Sequence, residues 1–148
     1  MKTPYLLFAS FALLFFISCE KYEYGPSFSL LSKKSRVVGE WYYEGIYVDG
    51  QEMTTPDDLV GFSSTFEKNG EYLDMAVEAG NPIVTVGTWE FANDKEELAI
   101  TTQHVDWTNT LVYNTINYKI LRLTNKELWY SRTVNGSEYE IHLKSKYS

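Results

Sequence analysis

Thiols and imidazoles are almost missing from this 148-residue sequence, which holds one cysteine, Cys19, and two histidines, His104 and His142. No intramolecular disulfide, thiolate metal cage or histidine-rich metal centre can be built from so few ligands. Basic charge is also short: Lys and Arg number 13 against 20 Asp and Glu, a net charge of −7. An acidic domain is poorly suited to a nucleic-acid backbone. Helical periodicity is missing too, since beyond Val37 no window repeats apolar residues at three- and four-residue spacing. The sequence has no nucleophile elbow, Gly-rich phosphate loop or metal-binding histidine pair. In Gln103-His104-Val105-Asp106-Trp107 imidazole and carboxylate stand together, which reads as a solvated loop pair. The chain is therefore expected to be no enzyme and to carry no cofactor and no metal.

What it does have is apolar and aromatic material. With 44% hydrophobic and 22% charged residues, and 4 Trp, 12 Tyr and 8 Phe, it can bury a core and is unlike a disordered chain. Its length suits one folded domain.

The first 18 residues stand apart from that domain. Lys2 is followed by an uninterrupted run of apolar and small residues, Tyr5 to Ile17, and then by Ser18-Cys19 and the charged Glu20, Lys21 and Glu23. The run falls short of the roughly 20 residues of a spanning helix, so residues 1–18 read as a secretory signal peptide. Phe16-Ile17-Ser18-Cys19 resembles a bacterial lipobox, in which the cysteine thiol is acylated and cleavage follows in front of it; Phe16 departs from the usual Leu. Acyl chains on Cys19 would hold the protein on a membrane at about 0.8 kcal/mol per buried methylene. Residues 19–36 then read as a lipidated cysteine and tether, with Leu30 and Leu31 able to form one docking helical turn.

From residue 37 to 148 the pattern has period two, broken by turn residues. Asn69-Gly70 and Asn135-Gly136 are read as type I′ hairpin turns. Further turns are expected at Asp49-Gly50, Gly80-Asn81-Pro82, Asn93-Asp94 and Thr124-Asn125. The strands run roughly over 37–48, 62–67, 71–77, 83–91, 97–102, 110–123, 127–134 and 137–144. Alternation assigns inward faces to Trp41, Tyr43, Gly45 and Tyr47; Leu73, Met75 and Val77; Gly87, Trp89 and Phe91; Leu98 and Ile100; Leu128, Tyr130 and Arg132; and Tyr139, Ile141 and Leu143. Parity changes between Ile120 and Leu121, so a bulge or an extra tight turn is expected there. The fold class is all-β, an antiparallel up-and-down meander of about eight strands closed into a barrel, which removes exposed edges.

Gly39-Glu40-Trp41 is a Gly-x-Trp element. Together with Lys68-Asn69-Gly70-Glu71-Tyr72, Gly87-Thr88-Trp89-Glu90-Phe91 and Tyr118 through Leu128, it resembles the lipocalin-like domain of bacterial lipoproteins, a calycin-type barrel, over nearly all of residues 37–145. The resemblance implies that Trp41 closes the barrel floor under a basic side chain from a late strand, Arg132 first and Arg122 second. It also implies a lid at Thr55 to Val60, where Thr55 can cap, Pro56 suits the first helical position and Asp57 and Asp58 favour the helix start. That segment gates a pocket or plugs the core.

The function this reading supports is a monomeric lipoprotein of the bacterial cell envelope, anchored in the outer membrane on its periplasmic or outer face. It would hold a small apolar or amphipathic ligand against Trp41, Tyr43, Trp89, Phe91, Tyr130 and Arg132. The alternative is an interaction protein with a solid core, serving as inhibitor, adhesin or envelope-complex subunit. Replacing Cys19 by Ser is expected to abolish lipidation, because serine has no thiol to alkylate. Wild-type protein that takes up no labelled palmitate and fractionates as soluble would refute the anchor.

Overall fold

The computed structural model describes Tyr22 and residues 30–146. The segment read as a signal peptide, Cys19 and most of the expected tether lie outside the described residues. Nine strands follow a short helix, α1 (Lys33–Val37): β1 (Gly39–Val48), β2 (Gln51–Thr54), β3 (Ser63–Phe66), β4 (Glu71–Glu78), β5 (Asn81–Ala92), β6 (Glu97–Val105), β7 (Leu111–Leu123), β8 (Glu127–Val134) and β9 (Ser137–Ser145). Eight of them, β1 and β3 to β9, form an antiparallel up-and-down barrel. The ring closes where β1 pairs with β9, from Trp41 opposite Ser145 to Val48 opposite Tyr139. Short β2 extends the wall, pairing with the second half of β1 on the edge where β3 holds the first half.

Turn chemistry sets the hairpins. Asp49-Gly50 and Asn135-Gly136 both have positive φ at each residue, the type I′ geometry that matches strand twist. The β4–β5 turn is Ala79-Gly80, one position before the expected Gly80-Asn81-Pro82, and Asn81 and Pro82 already belong to β5. Asn69-Gly70 is not a type I′ turn, because only Gly70 has positive φ. Gly70 N–H donates to the Glu67 carbonyl and Glu67 N–H to the Glu71 carbonyl, a longer turn in which the Asn69 side chain accepts from Glu71 N–H.

One end of the barrel is shut. Trp41 is buried on the floor and its indole N–H donates to the Val37 carbonyl at 2.8 Å, tying β1 to α1. Val37, Phe66, Leu98, Leu123, Leu128 and Leu143 fill the space around it, all fully buried. Arg36 of α1 reaches across to donate to the Leu123 carbonyl at 2.6 Å. Ser32 caps the helix by accepting from Ser35 N–H. The docking turn is thus Lys33–Val37, not Leu30-Leu31, which are exposed. Tyr22 also folds onto this end, donating to the Lys95 carbonyl at 2.6 Å under the Lys33 ammonium, so part of the segment read as a tether belongs to the floor.

Two expected faces are corrected. In β1 the pairing with β9 slips between Tyr43 and Gly45, a bulge that reverses parity. Ile46 then lies opposite inward Ile141, and Tyr47 turns outward onto His142, ring centroids 4.4 Å apart. In β4 it is Tyr72 and Asp74 that point inward, not Leu73, Met75 and Val77. The bulge expected beside Leu121 is present: register slips between Ile120 and Arg122, and Ile120, Leu121 and Leu123 are all buried.

Trp41→Ala is expected to cost about 3 to 5 kcal/mol, the range for deleting a buried aromatic. Trp107→Ala, at a side chain 96% exposed, should stay within about 0.5 kcal/mol. Denaturant midpoints of the two variants, equal within error, would disprove the floor assignment.

Candidate functional site

Above the floor the barrel interior opens into a cavity of about 150 Å³ lined by Tyr43, Tyr72, Asp74, Thr85, Ile100, Thr102, Ile116, Tyr118, Tyr130 and Ile141. Its polar wall is built by three adjacent strands. Bulge-free pairing puts Trp41 opposite Ser64 and Ser64 opposite Asp74, and period two carries Tyr43 and Tyr72 onto the same face. The result is a carboxylate inside a barrel, a placement that is costly unless donors surround it. Three hydroxyls meet Oδ1 of Asp74: Ser64 Oγ at 2.6 Å, Tyr43 Oη at 2.9 Å and Tyr72 Oη at 3.2 Å. Ser64 is completely buried, with its hydroxyl also 3.3 Å from those of Tyr43 and Tyr72.

Burial governs the acidity of these phenols. Desolvation, reinforced by the Asp74 charge, pushes Tyr43 far above its ordinary value. Tyr72 rises for the same first cause, with the charges of Tyr43 and Asp74 added. Tyr130, fully buried, is raised by desolvation and by its phenolic neighbours. Tyr118 stands edge-on to Tyr130, centroids 4.9 Å apart, and is raised by burial while the Arg132 charge opposes the rise. All four phenols are therefore donors at neutral pH. On the floor, burial likewise pushes Tyr22 up to about 12, against the pull of Arg36.

The six side chains expected to face a ligand divide by height. Tyr43 and Tyr130 line the cavity. Trp41, Trp89 and Phe91 pack below it. Trp89 stands edge-on to Phe66 and Phe91, each at 5.6 Å, and its indole N–H donates to the Glu67 carbonyl at 2.9 Å. Arg132 does not cross Trp41. It pairs with Tyr139, which lies level with Val48 at the opposite end of β1, and its guanidinium sits 5.7 Å from the Tyr118 ring centroid. Arg122 is outside the barrel, paired with Glu127 at 2.7 Å and 5.1 Å from the Trp129 ring. Asp74, Ser64, Tyr72 and Tyr118 were missed. The available signal was a carboxylate at Tyr72-x-Asp74, flanked on both faces by apolar residues, so alternation alone left the parity of β4 open.

The expected one-turn helix forms at Pro56–Leu59, with Thr55 N–H and hydroxyl both donating to Asp58 Oδ2 at 2.9 and 2.8 Å. These bonds hold the Asp58 carboxyl below its usual range. Leu59 is buried and Val60 is exposed. The exterior carries a separate, wider groove of about 530 Å³, floored by Leu73, Val86 and Gly87 and rimmed by Gln103 and Tyr113. A Cβ on Gly87 would collide with the Thr101 carbonyl oxygen, so β5 approaches β6 there as only glycine allows. His104 and Asp106 form no hydrogen bond to each other; Asp106 Oδ1 instead accepts from Thr108 and Thr110 within its own turn. Among the described residues no three His, Cys, Asp or Glu side chains converge as a metal site would require.

No protein-family model matches the chain, and no curated protein matches it. The barrel is consistent with a lipocalin-like fold, and the site has to be read from its own chemistry.

The folded phenols hold their protons more tightly than the unfolded chain does. Their stabilising contribution is complete below the ordinary tyrosine value of 10 and is lost as pH rises above it. Denaturation midpoints are expected to be flat from neutral pH to about 9 and to fall steeply beyond 10. Tyrosinate absorbance that develops fully near pH 10 in the folded protein would contradict this.

Proposed function

We propose that this protein is a membrane-tethered barrel that holds a small amphipathic molecule in the cavity beneath its open end. The observation carrying the reading is the cavity itself, with convergent polar groups on one wall and Ile100, Ile116 and Ile141 on the others. Convergent hydroxyls facing an apolar wall are the usual make-up of a binding pocket. The tether rests on Phe16-Ile17-Ser18-Cys19.

Volume limits the occupant. Pockets for drug-sized ligands begin at roughly 300 Å³, whereas a cavity of about 150 Å³ accommodates benzene. A molecule of about eight non-hydrogen atoms fits, and a fatty acid or tetrapyrrole does not. At such sizes binding of roughly 4 to 6 kcal/mol, a Kd of about 1 mM to tens of µM, is the attainable range.

A second reading, a docking protein, is favoured by one feature: Val105, Trp107, Leu111 and Tyr113 expose apolar surface together on the β6–β7 hairpin. Solvent-exposed aromatic side chains in a contiguous patch commonly mark partner surfaces.

Ligand-observed NMR with the soluble domain, residues 22–148, separates the two. Small substituted benzenes are expected to bind, and an anilinonaphthalene sulfonate, being too large, is not. Thr102→Leu, which fills the cavity, should abolish binding, whereas Trp107→Ala should leave it unchanged. Binding that survives Thr102→Leu places the site elsewhere and supports the docking reading.

A further inference from the structure

We infer that the cavity selects a small organic cation, a protonated amine whose ammonium bonds Oδ2 of Asp74 and whose apolar part rests on Tyr118, Tyr130 and Ile116. The inference rests on the cavity being a ligand site, as proposed above, and adds the charge of the occupant.

The two oxygens of the Asp74 carboxylate are unequally used. Oδ1 takes all three hydroxyl donors, from Ser64, Tyr43 and Tyr72. Among the described residues no donor reaches Oδ2, and it is not sealed from solvent, while Asp74 lines the cavity. A carboxylate has about four acceptor positions, so those of Oδ2 are left unused by the described residues at a cavity that Asp74 lines. Structural need alone does not explain an Asp here, because an amide would accept the same hydroxyl bonds without introducing a charge.

The other walls suit the same occupant. Four tyrosine rings, Tyr43, Tyr72, Tyr118 and Tyr130, bound the space, and aromatic faces attract ammonium groups. Asp74 is the one acidic residue lining the cavity, and Arg132 lies a layer nearer the mouth with its guanidinium over Tyr118. The amine is therefore drawn to the Asp74 wall and kept away from the Arg132 guanidinium, which turns its apolar end towards Tyr118 and Arg132. Arg132 also disfavours a dication, whose second charge would fall beside it.

Three molecules of matched shape and different charge test this on the soluble domain: benzylamine, benzyl alcohol and benzoate, by isothermal titration and ligand-observed NMR. Benzylamine is expected to bind about tenfold or more tightly than benzyl alcohol, as a charge-assisted bond exceeds a neutral one, with benzoate the weakest. Asp74→Asn keeps an acceptor for the three hydroxyls and should reduce the amine preference to about threefold or less, leaving benzyl alcohol unchanged. Arg132→Met, at the mouth and away from the hydroxyl cluster, should tighten benzylamine alone, which tests the charge rule even if Asp74→Asn folds poorly. An amine preference that persists in Asp74→Asn, or equal binding of all three molecules, overturns the cation inference while the ligand cavity stands. If none of the three binds, the cavity reading falls and the inference with it.

Discussion

A single carboxylate inside the barrel governs how the upper half of this molecule is built. Asp74 faces inward on β4, and an uncompensated charge there would be prohibitive. Its solvation shell is supplied by neighbouring strands: Tyr43 from β1, Ser64 from β3 and Tyr72 from β4 itself. Those three hydroxyls prevent the segment from packing as hydrocarbon, and so the tight floor of Leu98, Leu123, Leu128 and Leu143 gives way to a cavity at this level. Two halves with different rules share one barrel. The lower is jigsaw packing capped by Trp41 and α1, and the upper is a polar network in which each group has to be satisfied.

The lower half was legible in the amino-acid sequence and much of the upper half was not, for a physical reason. Where a strand separates apolar from charged residues cleanly, as in Tyr139, Ile141 and Leu143 against Glu138, Glu140 and Lys144, period two assigns the faces correctly. In β4 both faces carry apolar residues. Leu73 floors the exterior groove while Tyr72 and Asp74 look inward, so alternation alone selected the wrong side. In β1 the bulge after Tyr43 inserts a residue that no periodicity reveals, and Gly45 is the only local hint. By contrast, the change of parity at Leu121 was visible because buried apolar residues fall on both sides of it. The type I′ turn expected at Asn135-Gly136 is present, whereas at Asn69-Gly70 the hairpin is longer and the type differs.

The reversal in β1 also explains a feature of the outer wall. Once Tyr47 faces outward it meets His142, and His142 lies flat on Trp129 with centroids 4.1 Å apart and planes 5° from parallel. Arg122 covers the far side of the indole and is held by Glu127. The stack crosses β1, β9, β8 and β7, spanning the seam where the barrel closes. Aromatic contact of this kind adds about 0.5 to 1.5 kcal/mol per pair beyond area burial, and here it reinforces the pairing between strands most distant in the chain. Glu138 N–H donating to the Asp49 side chain at 2.9 Å, and Asp49 N–H to the Glu138 carbonyl at 2.9 Å, join the two hairpin turns at the same seam.

That seam has a consequence for the order in which the chain can reach its native state. Trp41 pairs with Ser145 across nearly the whole length of the domain, whereas every other barrel pairing except β1 with β3 joins consecutive strands by a short turn. Local hairpins can assemble and melt independently, but the ring completes only when β9 is present, after a costly loop closure. Until then β1 and β8 both offer unpaired edges, with Tyr42 and Trp129 among the side chains along them. A growing chain that lacks β9 is consequently an open, adhesive sheet, and the arrival of β9 turns it into a closed and self-contained surface.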